Sequence, residues 1–74
     1  MSRLPSLKPA DVIKALRRAG FVESHQTGSH LILEKPNHPL IISVPMHNRD
    51  LKKGTLRHII EQAGLTRKEF LSLL

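Results

Sequence analysis

Cysteine, tryptophan and tyrosine are all absent from this chain, and the only aromatic side chains besides histidine are two phenylalanines. Without cysteine there is neither a disulfide scaffold nor a thiolate metal site, which suits a reducing compartment. No apolar run approaches the length of about 18 residues that a membrane span needs, and the opening MSRLPSLKPADV holds no apolar stretch long enough for a signal peptide. The expectation is therefore a soluble cytoplasmic protein that engages no membrane. The scarcity of aromatic rings argues against a base-stacking platform, so any nucleic acid should be recognised through backbone and shape.

Acidic residues are also scarce. Six Asp and Glu face twelve Lys and Arg, leaving a net charge of +6 on 74 residues. So small a body with so positive a field attracts polyanions, with nucleic acid as the leading partner. Surplus lysine as an aid to solubility, or an acidic protein as the partner, would account for the same charge. The length allows one domain, residues 1–74, with one modest core. A chain this short buries only about 60% of its unfolded surface, and its margin of stability should be roughly 3–5 kcal/mol.

What is present alternates between two periods. Val12, Ile13, Leu16 and Ala19 share one helical face, predicting an amphipathic helix over Pro9 to Ala19, with Pro9 at the first helical position, Asp11 near the positive end and Gly20 as the stop. Phe21 to His25 reads as a strand and Gln26 to Ser29 as the turn that reverses it. In the second strand, His30 to Glu34, the period of two puts Leu31 and Leu33 toward the core and His30, Ile32 and Glu34 on the opposite face. After the turn cluster Lys35 to Pro39, Leu40 to Val44 is a third strand, and Pro45 should end regular pairing. A helix over Gly54 to Ala63 carries the stripe Leu56, Ile59, Ile60 and Ala63. Thr66 and Glu69 form a capping box for a short helix from Arg67 to Leu73, with Leu65 stapled onto Phe70. The order αβββαα predicts an α+β, two-layer fold: an antiparallel three-stranded sheet with helices on one face. The other face, with His30 and Ser43, is left open to water or ligand.

Side chains able to move protons near neutral pH are chiefly the five histidines. His30 follows Gly28 and Ser29 where the turn becomes strand. Gly28 lets a phosphate approach the backbone closely, and Ser29 can donate a hydrogen bond to it. RNA brings its own nucleophile, the 2′-hydroxyl, so a base need only take that proton while cations neutralise the charge building on the phosphate; neither metal nor other cofactor is needed. His47, in Val44-Pro45-Met46-His47, is a candidate second proton carrier and RNA contact. Each has an ordinary alternative: His30 as an exposed strand histidine bonded to a neighbour, His47 as a loop histidine fixing backbone. His25, His38 and His58 read as surface or structural residues, and no pair has the spacing of a metal site. Lys52 and Lys53 precede the second long helix, with Thr55 and Arg57 close by, and would grip phosphate there or else form a solvated charge pair. Lys14, Arg17 and Arg18 on the first helix are open to the same two readings.

Five short motifs stand in order: Ala19-Gly20-Phe21, Gly28-Ser29-His30, Val44-Pro45-Met46-His47, Lys53-Gly54-Thr55-Leu56-Arg57 and Ala63-Gly64-Leu65. Taken together, with the length and charge, the chain resembles the HicA toxins of bacterial and archaeal toxin–antitoxin pairs, from its first helix to Phe70. The resemblance implies a fold like that of double-stranded-RNA-binding domains, and cleavage of messenger RNA that arrests translation through the histidine matching His30. It also implies a HicB-type antitoxin that covers the active face and, with the toxin, regulates the operon. Two competing readings remain: a double-stranded-RNA-binding module that does not cut, and an adaptor whose positive surface pairs with an acidic protein.

Overall fold

A computed structural model describes residues 4–39 and 41–74. The first three residues of the opening segment, and Leu40, expected to begin the third strand, lie outside the described residues. The element order is α1 (Pro9–Arg18), β1 (Val22–Thr27), β2 (His30–Glu34), β3 (Ile42–Pro45), α2 (Lys53–Gln62) and α3 (Arg67–Leu71). The strands form one antiparallel sheet in the order β1-β2-β3.

Helix α1 begins where the Asp11 carboxylate accepts a hydrogen bond from Lys8 N at 3.1 Å and Pro9 opens the first turn. It ends one residue earlier than its apolar stripe suggests, with Ala19 as the cap. Gly20 then takes φ +101°, a left-handed conformation that lets Phe21 N donate back to Leu16 O at 3.0 Å and turns Phe21 into the core.

Four strand boundaries differ from the sequence reading, both ends of β1 and both ends of β3. Strand β1 starts at Val22 and runs on to Thr27, because the hairpin needs only Gly28 and Ser29: Thr27 pairs directly with His30, and Gly28 takes φ +53°, as a Gly-first two-residue connection requires. Strand β3 starts at Ile42 and includes Pro45, which lies opposite His30. A proline is accepted there because β3 is a sheet edge. The bond that continues the pairing, Met46 N to Ser29 O at 2.6 Å, comes from the next residue.

Leu31, Leu33, Ile42 and Val44 point into one core with Val12, Ile13, Leu16 and Phe21 and with Leu56, Ile59, Ile60 and Phe70. Helices α1 and α2 both pack over β3, and no helix is long and apolar enough to cross a membrane among the described residues. Helix α2 begins at Lys53, one residue before the expected start, and Ala63 caps it. The capping box of α3 forms as expected: Glu69 N donates to Thr66 Oγ1 at 3.0 Å and Thr66 N to Glu69 Oε1 at 2.8 Å. That helix stops at Leu71, and Arg18 Nη1 donates to the Leu73 carbonyl at 2.7 Å. The whole is the two-layer α+β arrangement of double-stranded-RNA-binding domains, and it leaves one sheet face uncovered.

Candidate functional site

The uncovered face is built by the register. Val22, His25 and Thr27 of β1 pair with Glu34, Ile32 and His30 of β2, and Ser43 and Pro45 of β3 pair with Ile32 and His30. Directly opposed residues point the same way, so these side chains share the face turned away from the core. His30 is exposed on the central strand, between Thr27 and Pro45.

One hydrogen bond orients its ring. Ser29 Oγ and His30 Nδ1 lie 3.3 Å apart in a hydrogen bond, and the Ser29 carbonyl is held by Met46 N. Nδ1 is thus the anchored nitrogen and Nε2 the one left for a ligand. The hydroxyl expected to meet a phosphate is directed to the neighbouring imidazole. Gly28 has open space where a side chain would be, so the approach to the hairpin backbone is unobstructed.

The other histidines divide by their partners. His47 is exposed, and its Nδ1 accepts a hydrogen bond from Arg49 N at 3.1 Å, which fixes the loop after β3. His25 is exposed and its Nδ1 is hydrogen-bonded to Ser24 Oγ at 3.0 Å. His38 is half-buried, its ring edge-on to Phe21 with centroids 5.4 Å apart and its buried Nε2 unpaired. His58 is exposed on α2.

The cations also divide. Lys52 caps α2 by its backbone alone, with no side-chain cap and no acidic residue in the first turn. Lys53 is the first helical residue, not a residue ahead of the helix, and its ammonium donates to the Leu4 carbonyl. Two of its three N–H donors remain for other partners. Arg57 follows one turn later on the same helix face, and Thr55 is half-buried beside it. Lys53 and Arg57, with Arg67 from α3 and Leu4, line a cleft of about 300 Å³ that has no acidic residue among its described lining residues. Arg67 escaped the sequence reading because it joins the other two only in the folded chain, from a separate helix. On α1, Arg17 forms a salt bridge with Glu23 and Arg18 holds the Leu73 carbonyl, so two of its three cations have structural partners.

This face has the parts for acid–base work on a phosphodiester, an exposed imidazole with one anchored nitrogen and an accessible glycine backbone, while the cluster of cations lies apart from it in the helix layer. Among curated proteins, none matches the chain. A family model described as HicA toxin of bacterial toxin-antitoxin matches residues 9–65, from the first residue of α1 to just past α2. The chain belongs to the HicA toxin family, the toxins of bacterial toxin–antitoxin pairs.

Proposed function

We propose that this toxin is an endoribonuclease, a single 74-residue domain that cuts messenger RNA in the cytoplasm and so arrests translation. The observation that carries the reading is His30 itself, exposed on the central strand with Nδ1 hydrogen-bonded to Ser29 Oγ, which leaves Nε2 for a ligand. With Nδ1–H donating to Ser29 Oγ, the Nε2 lone pair is the base that takes the proton of an RNA 2′-hydroxyl. The freed oxygen attacks the adjacent phosphorus, and the bond to the 5′-oxygen breaks. Because the nucleophile belongs to the substrate, the step needs no metal-bound water.

The charge that builds on the phosphate oxygens is met by the Gly28 amide region, where nothing obstructs the backbone. Ser29 and His47 flank the reacting group, while Lys52, Lys53, Thr55 and Arg57 hold the RNA backbone further along. Arg67 belongs with this set by its place in the same cleft. A HicB-type antitoxin would silence the toxin by covering the open sheet face. Exposed Val22 and half-buried Ile32 and Pro45 offer such a partner apolar contact beside His30.

The test is cleavage of RNA by the purified protein in EDTA. Wild type should cut, and His30→Ala should remain folded and be slower by about 100-fold or more. Stable RNA complexes without cutting would favour the binding-module reading instead. RNA binding with no dependence on salt would remove the phosphate contacts from the account.

A further inference from the structure

An in-line displacement needs two proton carriers: one to take the proton of the 2′-hydroxyl, another to give one to the departing 5′-oxygen. His30 supplies the first. The register of β1 supplies a second imidazole on the same face. Val22 pairs with Glu34 and Glu23 with Leu33, but His25 pairs with Ile32, so Ser24 is an extra residue, a β-bulge. Strict alternation from Val22 would turn residue 25 toward the helices. The inserted residue reverses that, placing His25 and Thr27 on the open face with His30.

Because Ile32 faces His25 and Thr27 faces His30, the two histidines are diagonal neighbours on adjacent antiparallel strands. Such positions lie about 7–8 Å apart. Side chains rooted at that spacing on one face can reach a single phosphodiester from two sides, as proton transfer within about 3 Å of each oxygen requires. The two imidazoles are also held alike. Each Nδ1 is hydrogen-bonded to the hydroxyl of the preceding serine, Ser24 Oγ at 3.0 Å for His25 and Ser29 Oγ at 3.3 Å for His30, so in both rings Nε2 is the nitrogen left for a ligand. His47 differs: its Nδ1 accepts from Arg49 N, and to act as an acid it would have to protonate Nδ1 and give up that bond.

We infer that His25 is the catalytic acid of this site, donating its Nε2 proton to the leaving 5′-oxygen while His30 accepts the proton of the attacking 2′-hydroxyl. The inference rests on the RNA-cutting reading above. One bond forms, 2′-oxygen to phosphorus, and one breaks, phosphorus to 5′-oxygen. A proton passes from the sugar to His30 and another from His25 to the alcohol that leaves. In both rings Nδ1–H donates to its serine throughout.

The test compares two RNAs identical except at a cut site first mapped with the wild-type protein. In one, the bridging 5′-oxygen is replaced by sulfur, a leaving group that departs as thiolate without needing a proton. His25→Ala should cut the ordinary RNA about 100-fold or more slowly than wild type and the sulfur-bridged RNA at close to the wild-type rate. His30→Ala should be slow on both. His25 is exposed, so its removal leaves the core intact. If His25→Ala cuts the ordinary RNA as fast as wild type, or is slowed equally on both substrates, the assignment of His25 is overturned while the role of His30 stands. Wild-type protein that cuts no RNA at the mapping step overturns the cleavage reading and His25 with it.

Discussion

Pro45 of β3 sits directly across from His30 of β2, and Met46 N, the next donor along, bonds to the carbonyl of Ser29. The edge strand therefore clamps the hairpin on the residue that precedes the histidine, while the proline ring, with no N–H to satisfy, flanks the imidazole. The position of His30 is set by the sheet and its ring orientation by Ser29.

The Ser29 bond predicts a modest effect confined to catalysis. Replacing Ser29 by Ala removes one solvent-exposed hydrogen bond, which water replaces at little cost to folding while the ring loses its anchor. Cleavage should slow by roughly 2- to 10-fold with the midpoint of unfolding nearly unchanged. Parallel measurements of cleavage rate and denaturant midpoint check this; a large fall in stability would show that Ser29 serves the fold and not the ring.

The cleft between α2 and α3 predicts a change in salt dependence. Arg57→Gln should weaken RNA binding on all sequences alike and lower the slope of log K against log salt by about one. The same change in Arg67 should do likewise. Titrations at several salt concentrations measure it. A slope unchanged in both variants would remove this cleft from the RNA path.

Elements with one buried face were legible in the sequence. Strand β2 was read with its true boundaries because a short apolar run, Leu31 to Leu33, is bounded by His30 after a glycine turn and by Glu34 before a turn cluster, and α1 and α2 were read within a residue from their apolar stripes. The limits of β1 were not, since all six of its residues are exposed and an edge strand without a buried side leaves no alternation to read. For the same reason the bulge at Ser24 left no trace, and His25 looked like any surface histidine. His30 was visible from its local setting, between a glycine turn and a half-buried strand. Arg67 was not, because it shares a cleft with Lys53 and Arg57 only once the chain is folded.

Leu56, on the buried face of α2, tests how thin the margin is. It is fully buried, and Leu56→Ala should cost about 2–5 kcal/mol, comparable to the roughly 3–5 kcal/mol expected for a domain this small. The variant should be largely unfolded at 37 °C by circular dichroism. A cooperative transition near that of wild type would mean that the site collapses around the smaller side chain.

The cap of α3 predicts a dependence on pH. Hydrogen bonds from the backbone and hydroxyl of Thr66 hold the Glu69 carboxyl below its ordinary value of 4.5. A lowered folded value means the charged form is favoured in the native state. The contribution is therefore complete above the unfolded value and is lost as pH falls through the folded one. Acid unfolding of wild type should show this loss below about pH 4.5, and Glu69→Gln should lack that component. Thr66→Ala should cost about 1 kcal/mol at neutral pH. Identical acid profiles for wild type and Glu69→Gln would separate the cap from stability.

The chemistry of the cut ends tests the central claim most directly. Attack by the 2′-hydroxyl leaves a 2′,3′-cyclic phosphate on one fragment and a 5′-hydroxyl on the other, and these are the ends predicted when wild-type protein cuts RNA in EDTA and the fragments are weighed by mass spectrometry. Fragments ending in 3′-hydroxyl and 5′-phosphate would mean that water, not the ribose, is the nucleophile, and would contradict the role assigned to His30.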